Sequence, residues 1–291
     1  MIVITGAAGF IGSNLCRKLN LHSINKIILV DDFTQKKKQQ NWENIEYADK
    51  IEREPFFKWA EQYAQYIDFI FHLGARTDYY SNSFDVFESL NIDFSQRLWS
   101  FATAKGIPFI YASSYLANDT RKLSAFAKSK YIFDKWIEKQ RKTPPFWAGL
   151  KFFQVYGSNE AHKAENASNV FKFFQYYLNN EAALYPKSNI IQDYIYVNDA
   201  VKVLYYFLNH LPKSGLYEVG TGFARPLSAV VEAIHKRGNK KPHAAPSGLF
   251  GITKDLFAHE PIVFQSDLTL LRKYAYKQPF LTLEEGVKRI F

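Results

Sequence analysis

A glycine turn near the amino end constrains this chain more than any other feature. The β-branched run Met1–Thr5 leads into Gly6-Ala7-Ala8-Gly9-Phe10-Ile11-Gly12, and helical character follows from Ser13 to Leu21. Glycines three apart between a strand and a helix allow a tight turn, bring backbone close to a pyrophosphate and let the helix pack against the strand. The helix amino end adds unpaired N–H donors and a positive dipole. Alone, the spacing would also describe a purely structural turn. The acid expected about 20 residues on is present, because the apolar run Lys26–Val30 ends in Asp31-Asp32. A dinucleotide site is therefore predicted on Gly6, Ala8, Gly9, Phe10, Ile11 and Gly12. Asp31 or Asp32 would accept hydrogen bonds from the adenosine ribose, which favours NAD. Lys36 to Lys38, the only dense charge run, would pair through Lys38 with a 2′-phosphate, which favours NADP, or would form a solvated loop.

The pattern then repeats. Phe69 to His72 and Ile107 to Ala112 read as buried strands after helices over Phe56 to Tyr66 and Phe84 to Lys105. Arg121 to Arg141 reads as a long helix stopped by Thr143-Pro144-Pro145, and Phe146 to Phe153 as the next strand. Strands alternating with helices imply an α/β chain with a Rossmann, doubly wound parallel sheet. Beyond about residue 155 the rhythm loosens. Helices are expected over Asn166 to Asn180, from an Asn198-Asp199 cap to Leu208, and over Leu227 to Lys236; strands over Asp193 to Val197 and Gly215 to Val219; and a loop from Gly238 to Gly251. The expected division is a dinucleotide-binding domain over 1–155 and a smaller, discontinuous substrate lobe over 156–291, with segments near 190–220 returning to the first.

Composition narrows the function classes. With 291 residues, 47% of them hydrophobic, the chain can bury a large core and is not a disordered protein. No apolar run approaches the ~18–20 residues that span a bilayer, and the first residues lack the order of a signal peptide, so a soluble cytoplasmic protein is expected. A single cysteine, Cys16, excludes an internal disulfide and a cysteine-rich metal centre. The net charge of +9 suits an anionic ligand. The lysines are dispersed and no zinc-finger or RNP-type motif accompanies them, which argues against nucleic acid. The histidines show no metal-ligand spacing, no G-x-S-x-G elbow occurs, and His72 reads as a packing or hydrogen-bonding residue.

Longer stretches carry a resemblance. Ile4 to Asn14, Phe71-His72-Leu73-Gly74-Ala75, Pro108 to Ser114, Val155-Tyr156-Gly157 followed by His162-Lys163, Asp193 to Val197, Gly220-Thr221-Gly222 and Gln265 to Leu268 resemble the extended short-chain dehydrogenase/reductases, the NAD-dependent epimerase/dehydratase family. Within it they are most similar to the ADP-L-glycero-D-manno-heptose 6-epimerase branch, over nearly the whole chain. The resemblance implies oxidation of a nucleotide sugar at its sixth carbon by bound NADP or NAD, with NADP slightly favoured, then return of hydride to the other face. It also implies a place in lipopolysaccharide core precursor synthesis, and a homo-oligomer formed through the helices near Phe84 to Lys105 and Arg121 to Arg141. Residue by residue, it carries a catalytic serine to Ser114, the motif lysine to Lys130 and a second base to Lys163. It carries cofactor contacts to Leu73, Gly74, Ala75, Asn91 and Lys130, and substrate contacts to Ser114, Gln154, His162 and Gln192. No metal is implied.

The same alignment shows departures. The family's tyrosine base, four residues before Lys130, is Phe126, and a phenyl ring has no proton to exchange. Tyr131 also lies four before a lysine, Lys135, but five residues at about 100° each turn it about 140° from Phe126. Tyr115, beside Ser114, is another possible replacement. The usual Tyr-Gly after the serine strand reads Asn118-Asp119, the chain between Ser114 and Phe126 is short, Gln154 replaces asparagine, and Gln192 replaces the arginine that contacts the substrate's diphosphate in relatives. The alternative to an epimerase is a relative that binds dinucleotide as a sensor or for a partner. These independent changes argue for natural divergence over an engineered Phe126.

Overall fold

Seven parallel strands form the centre of the computed structural model, which describes residues 1–77, 83–118, 124–179, 189–238 and 261–290. In chain order the strands are β1 (Ile2–Thr5), β2 (Ile27–Asp31), β3 (Asp49–Glu52), β4 (Phe69–His72), β5 (Phe109–Ser114), β6 (Trp147–Phe152), β7 (Gln154–Tyr156), β8 (Ile190–Tyr196), β9 (Gly215–Val219), β10 (Ala224–Pro226) and β11 (Ile262–Phe264). The central sheet runs β3-β2-β1-β4-β5-β6-β9, and its neighbours pair in parallel. The order reverses between β1 and β4, which opens a crevice at the carboxyl edge, where doubly wound sheets bind ligands.

Alternation explains why the inner strands read as continuous apolar runs: both faces are covered. Ile2 and Ile4 of β1 join one layer with Leu15, Cys16 and Leu19 of the helix Phe10–Asn20. Val3 joins the other with Phe56 and Ala60, Leu98 and Trp99, and Phe133 and Ile137, from the helices Phe56–Tyr63, Phe94–Lys105 and Ala125–Ile137. Aromatic content goes largely into this packing; Trp99 lies edge-on to both Phe109 and Trp147.

The second sheet is built around β8. Its first half lies between antiparallel β10 and parallel β11, and its second half pairs in parallel with β7. Only Phe153 separates β6 from β7, so the chain crosses from one sheet to the other there. Of the 190–220 segment, β8 therefore belongs to the second sheet, while β9 pairs with β6 in the central one.

Three expected elements differ. Asn198-Asp199 does not cap the next helix, which starts at Val197 after an extended Tyr196; buried Asp199 accepts instead from Lys202 Nζ and from the Leu281 N–H. The stretch Phe84–Lys105 is not one regular helix but contains a π-turn over Glu88–Asp93, and such turns cluster at functional positions. The long helix before Thr143 is confined to Ala125–Ile137, capped by the Ser124 hydroxyl accepting from the Ala127 N–H. Residues 121–123 and the loop expected over 239–251 lie outside the described residues. Among the described residues no helix is long and apolar enough to cross a membrane.

Candidate active site

The glycine turn sits in the crevice against the loop after β4. Gly6 has φ +71°, and a Cβ there would come 2.5 Å from the Gly74 nitrogen; one on Gly12 would come 2.1 Å from the Gly6 carbonyl oxygen. Leu73 and Gly74 are thereby brought beside Gly6, and Ala75 follows them in the chain. Gly9 precedes the helix Phe10–Asn20 with no side-chain cap, and no acid stands in the first turn. Its amino-terminal dipole is left for an anion, so this cradle fits a dinucleotide's pyrophosphate. The Asp31 carboxylate accepts from the Ala8 N–H at 2.9 Å and from Lys38 Nζ at 2.8 Å. Asp32 is instead engaged by Thr34 and Gln35, whose hydrogen bonds hold its carboxyl below the usual range.

A directed hydrogen-bond chain runs under this cradle. Burial pushes His72 down to about 3, so the ring is neutral and carries one proton. The Gly74 N–H donates to Thr5 Oγ1. Thr5 and His72 Nδ1 are 2.7 Å apart, His72 Nε2 and Ser95 Oγ are 2.7 Å apart, and Ser95 donates to the Asn91 carbonyl. Because Ser95 spends its proton on Asn91, His72 donates through Nε2 and accepts Thr5's proton at Nδ1. Asn91, in the π-turn, also binds the backbone of Arg76 and donates to Ser129 Oγ. His72 is thus a structural relay that sets the floor of the crevice.

Ser114 ends β5 and is buried, its Oγ accepting from the Leu116 N–H at 3.3 Å. Phe126 and Lys130 share one face of their helix, four residues apart. Both are buried, the ammonium donates to the Ala112 carbonyl at 2.8 Å, and it lies 5.9 Å from the centre of the Phe126 ring. Burial lowers Lys130 to about 8. Tyr131 is half-buried one step round the helix.

Lys163 comes to the glycine turn from far along the chain. Its Nζ lies 5.3 Å from the centre of the Phe10 ring and 4.0 Å from the Glu160 carboxylate, and burial lowers its pKa. Glu160, which sequence reasoning missed, is completely buried and accepts from the Gly157 and Ser168 N–H groups and the Ser168 hydroxyl. Nothing in a lone glutamate at that position marks it in sequence. His162 lies next to Lys163 in the chain. Its ring lies 3.0 Å from Asn41, which donates to the Ala8 carbonyl. Burial lowers it to about 4, with the charges of Lys38 and Lys163 acting the same way.

The backbone beside Lys163 is strained. Ala164 has φ 46° and ψ −120°, a region costly for any residue with a Cβ, by about 1–3 kcal/mol. Ala164→Gly is expected to raise unfolding stability by about 1 kcal/mol in urea titrations; a loss would show that the strain is not real.

Gln154 on β7 and Gln192 on β8 face Tyr115, and a second polar group forms nearby. Asp134 accepts from Tyr111 and Ser113 and pairs with Lys151, which donates to Asn118. Asn118 in turn donates to Glu218. Among the described residues, no cluster of His, Cys, Asp and Glu is placed to hold a metal.

Comparison with known proteins agrees with this architecture. The profile of the NAD dependent epimerase/dehydratase family matches residues 2–220. An ADP-L-glycero-D-manno-heptose-6-epimerase of Fusobacterium nucleatum subsp. nucleatum is 32% identical, over 99% of this chain and 96% of its own length. One of Pseudomonas paraeruginosa is 33% identical, over 98% and 96%. The crystal structure of the Helicobacter pylori ADP-L-glycero-D-manno-heptose-6-epimerase superimposes with TM-score 0.83 over 99% of this chain and 94% of that one, at 22% identity, a likeness of fold.

Proposed function

The chain belongs to the NAD-dependent epimerase/dehydratase family, and from that premise we propose that it is a nucleotide-sugar epimerase acting at the sixth carbon of an ADP-glycero-manno-heptose, with Phe126 in place of the usual tyrosine base. The observation that carries this reading is Lys163, a half-buried amine with a lowered pKa, held against Phe10 of the glycine turn. Burial beside Glu160 and a lowered pKa are properties that a proton acceptor needs.

A bound nicotinamide supplies the hydride acceptor and donor. Lys163 takes the proton of the sugar hydroxyl as the carbonyl forms, and returns it as hydride comes back. Ser114 hydrogen-bonds the same oxygen. Lys130 holds positive charge under the site at neutral pH, since about 8 leaves it protonated. Phe126 supplies no proton, so turnover on that side is slow. Gly6 to Gly12, Asp31 and Lys38 hold the dinucleotide, and Asn91 fixes the helix that carries Lys130 through Ser129.

The test is incubation of the protein with NADP or NAD and ADP-D-glycero-D-manno-heptose, with inversion at the sixth carbon followed by NMR. Inversion is expected. Tight dinucleotide binding without inversion would favour the second reading, a dinucleotide sensor or partner-binding relative, for which the buried Phe126 ring speaks.

On the cofactor, NADP is the form we propose, because Lys38 stands on Asp31 at the ribose position. Lys38→Ala is then expected to weaken NADP about tenfold in calorimetry and to leave NAD within about threefold. Equal weakening of both would assign Lys38 only to holding Asp31. The same reading makes the protein a cytoplasmic homo-oligomer.

A further inference from the structure

A buried amide fastens the loop that carries Lys163 to the glycine turn. Asn41, 6% exposed, donates through Nδ2 to the Ala8 carbonyl at 3.0 Å and to the Asn159 carbonyl at 3.4 Å, and the same nitrogen lies 3.0 Å from His162 Nδ1. An amide nitrogen only donates, so His162 accepts there and keeps its own proton on Nε2. Two more bonds close the same seam. Asn14 Nδ2 donates to the Ser158 carbonyl at 3.0 Å, and Asn159 Nδ2 donates to Ser13 Oγ at 3.2 Å. Ala8 is held from both sides, its N–H by Asp31 and its carbonyl by Asn41.

The loop needs such fastening. Asn159 and Ala164 bracket the turn that carries His162 and Lys163, and both have positive φ, 76° and 46°. Asparagine tolerates that region and alanine does not, and such backbone persists only where its surroundings fix it. Glu160 ties the loop to its own side, through Gly157 and Ser168. Asn41 ties it to the other side, and Lys163 Nζ comes to rest 5.3 Å from the centre of the Phe10 ring, two residues beyond Ala8.

Resting on the reading of Lys163 as the proton acceptor, we propose that Asn41 is a positioning residue for the reaction: by binding Ala8, Asn159 and His162 together, it sets the Lys163 amine against the turn that holds the dinucleotide. Asn41 takes no proton itself and acts through Lys163.

The experiment combines amine labelling with turnover. Folded protein is exposed briefly to acetic anhydride at neutral pH, and acetylation of Lys163 and of Lys130, a buried lysine on a separate helix, is read by peptide mass spectrometry. Asn41→Leu keeps the volume and removes the donor. Lys163 acetylation is expected to rise about tenfold, with Lys130 unchanged within about twofold. Because a misplacement of about 1 Å can cost about a hundredfold in rate, kcat for inversion of ADP-D-glycero-D-manno-heptose is expected to fall about 10–100-fold, and KM to change less than about threefold. His162→Leu, which leaves Asn41 on Ala8, serves if the first variant does not fold, and is expected to raise Lys163 acetylation about threefold. Unchanged Lys163 acetylation in the folded variants, an equal rise at Lys130, or an unchanged kcat where Lys163 has become reactive overturns the inference and leaves the epimerase reading standing. If the wild type binds dinucleotide but does not invert the sugar, the epimerase reading falls and the inference falls with it.

Discussion

A Phe126→Tyr variant is expected to invert the sixth carbon of its substrate about 10²–10⁴ times faster than the wild type. That range is what a positioned proton donor contributes, equivalent to about 2.7–5.5 kcal/mol of transition-state stabilisation. The expectation rests on the geometry around the ring. Phe126 lies one helical turn before Lys130, both are buried, and the ammonium sits 5.9 Å from the ring centre. A hydroxyl on that ring would gain a proton to exchange and a cation to lower its pKa. Its helix is anchored independently of the ring, through Ser129 to Asn91 and through Ser124 at the cap. The measurement is kcat at saturating sugar nucleotide, by NMR. A variant that binds dinucleotide and substrate yet gains nothing would show that the base is not the only part of the machinery altered, and would turn attention to Gln192 and Tyr115.

The second large effect belongs to Lys163. Lys163→Met keeps the length of the chain and its packing on Phe10, but removes the amine. Turnover is expected to fall by about 10²–10⁴-fold, while the dissociation constant for dinucleotide changes less than about threefold. The pH dependence should change with it. Burial lowers the Lys163 pKa, so the neutral, proton-accepting form appears at lower pH than for an exposed lysine, and wild-type kcat should rise with pH through that titration. The variant should lose that rise. If activity survives with its pH profile intact, the amine is a structural partner of Glu160 and another group accepts the proton. Because Glu160 is fully buried and its own pKa is raised by burial, it can take up a proton when Lys163 is lost. The three hydrogen bonds from Gly157 and Ser168 then hold the loop.

How legible each part was follows from the range of the interactions behind it. The glycine turn, the acid ending β2 and the alternation of apolar strands with helices are local patterns, and the central sheet follows them closely; the expected strand Gly215 to Val219 matches β9 at both ends. The short strands β3, β10 and β11 carry no such pattern. They are exposed or only three residues long, and form because a neighbour offers a free edge. The π-turn at Asn91 has no periodic signature, since one added residue in a helix is visible only through the side chain it redirects. Asn198-Asp199 had the composition of a cap, and lost that role because Asp199 is drawn inward by Leu281, 82 positions away.

For the site, the sequence by itself determined the residue types: a dinucleotide cradle, a serine and lysine pair lacking its tyrosine, and a second lysine far along the chain. The cradle is set by turn and helix geometry, which act over a few residues, whereas the serine, the two lysines and the missing tyrosine are what the family resemblance implies. Only the tertiary structure decided where the later half of the chain delivers its side chains. It put Lys163 on Phe10, set His162 against Asn41, and drew Gln154 and Gln192 onto the Tyr115 hydroxyl. The reason is that the second sheet is assembled from β7, β8, β10 and β11, segments separated by long stretches of chain, so which residues face one another across the crevice depends on strand register and burial.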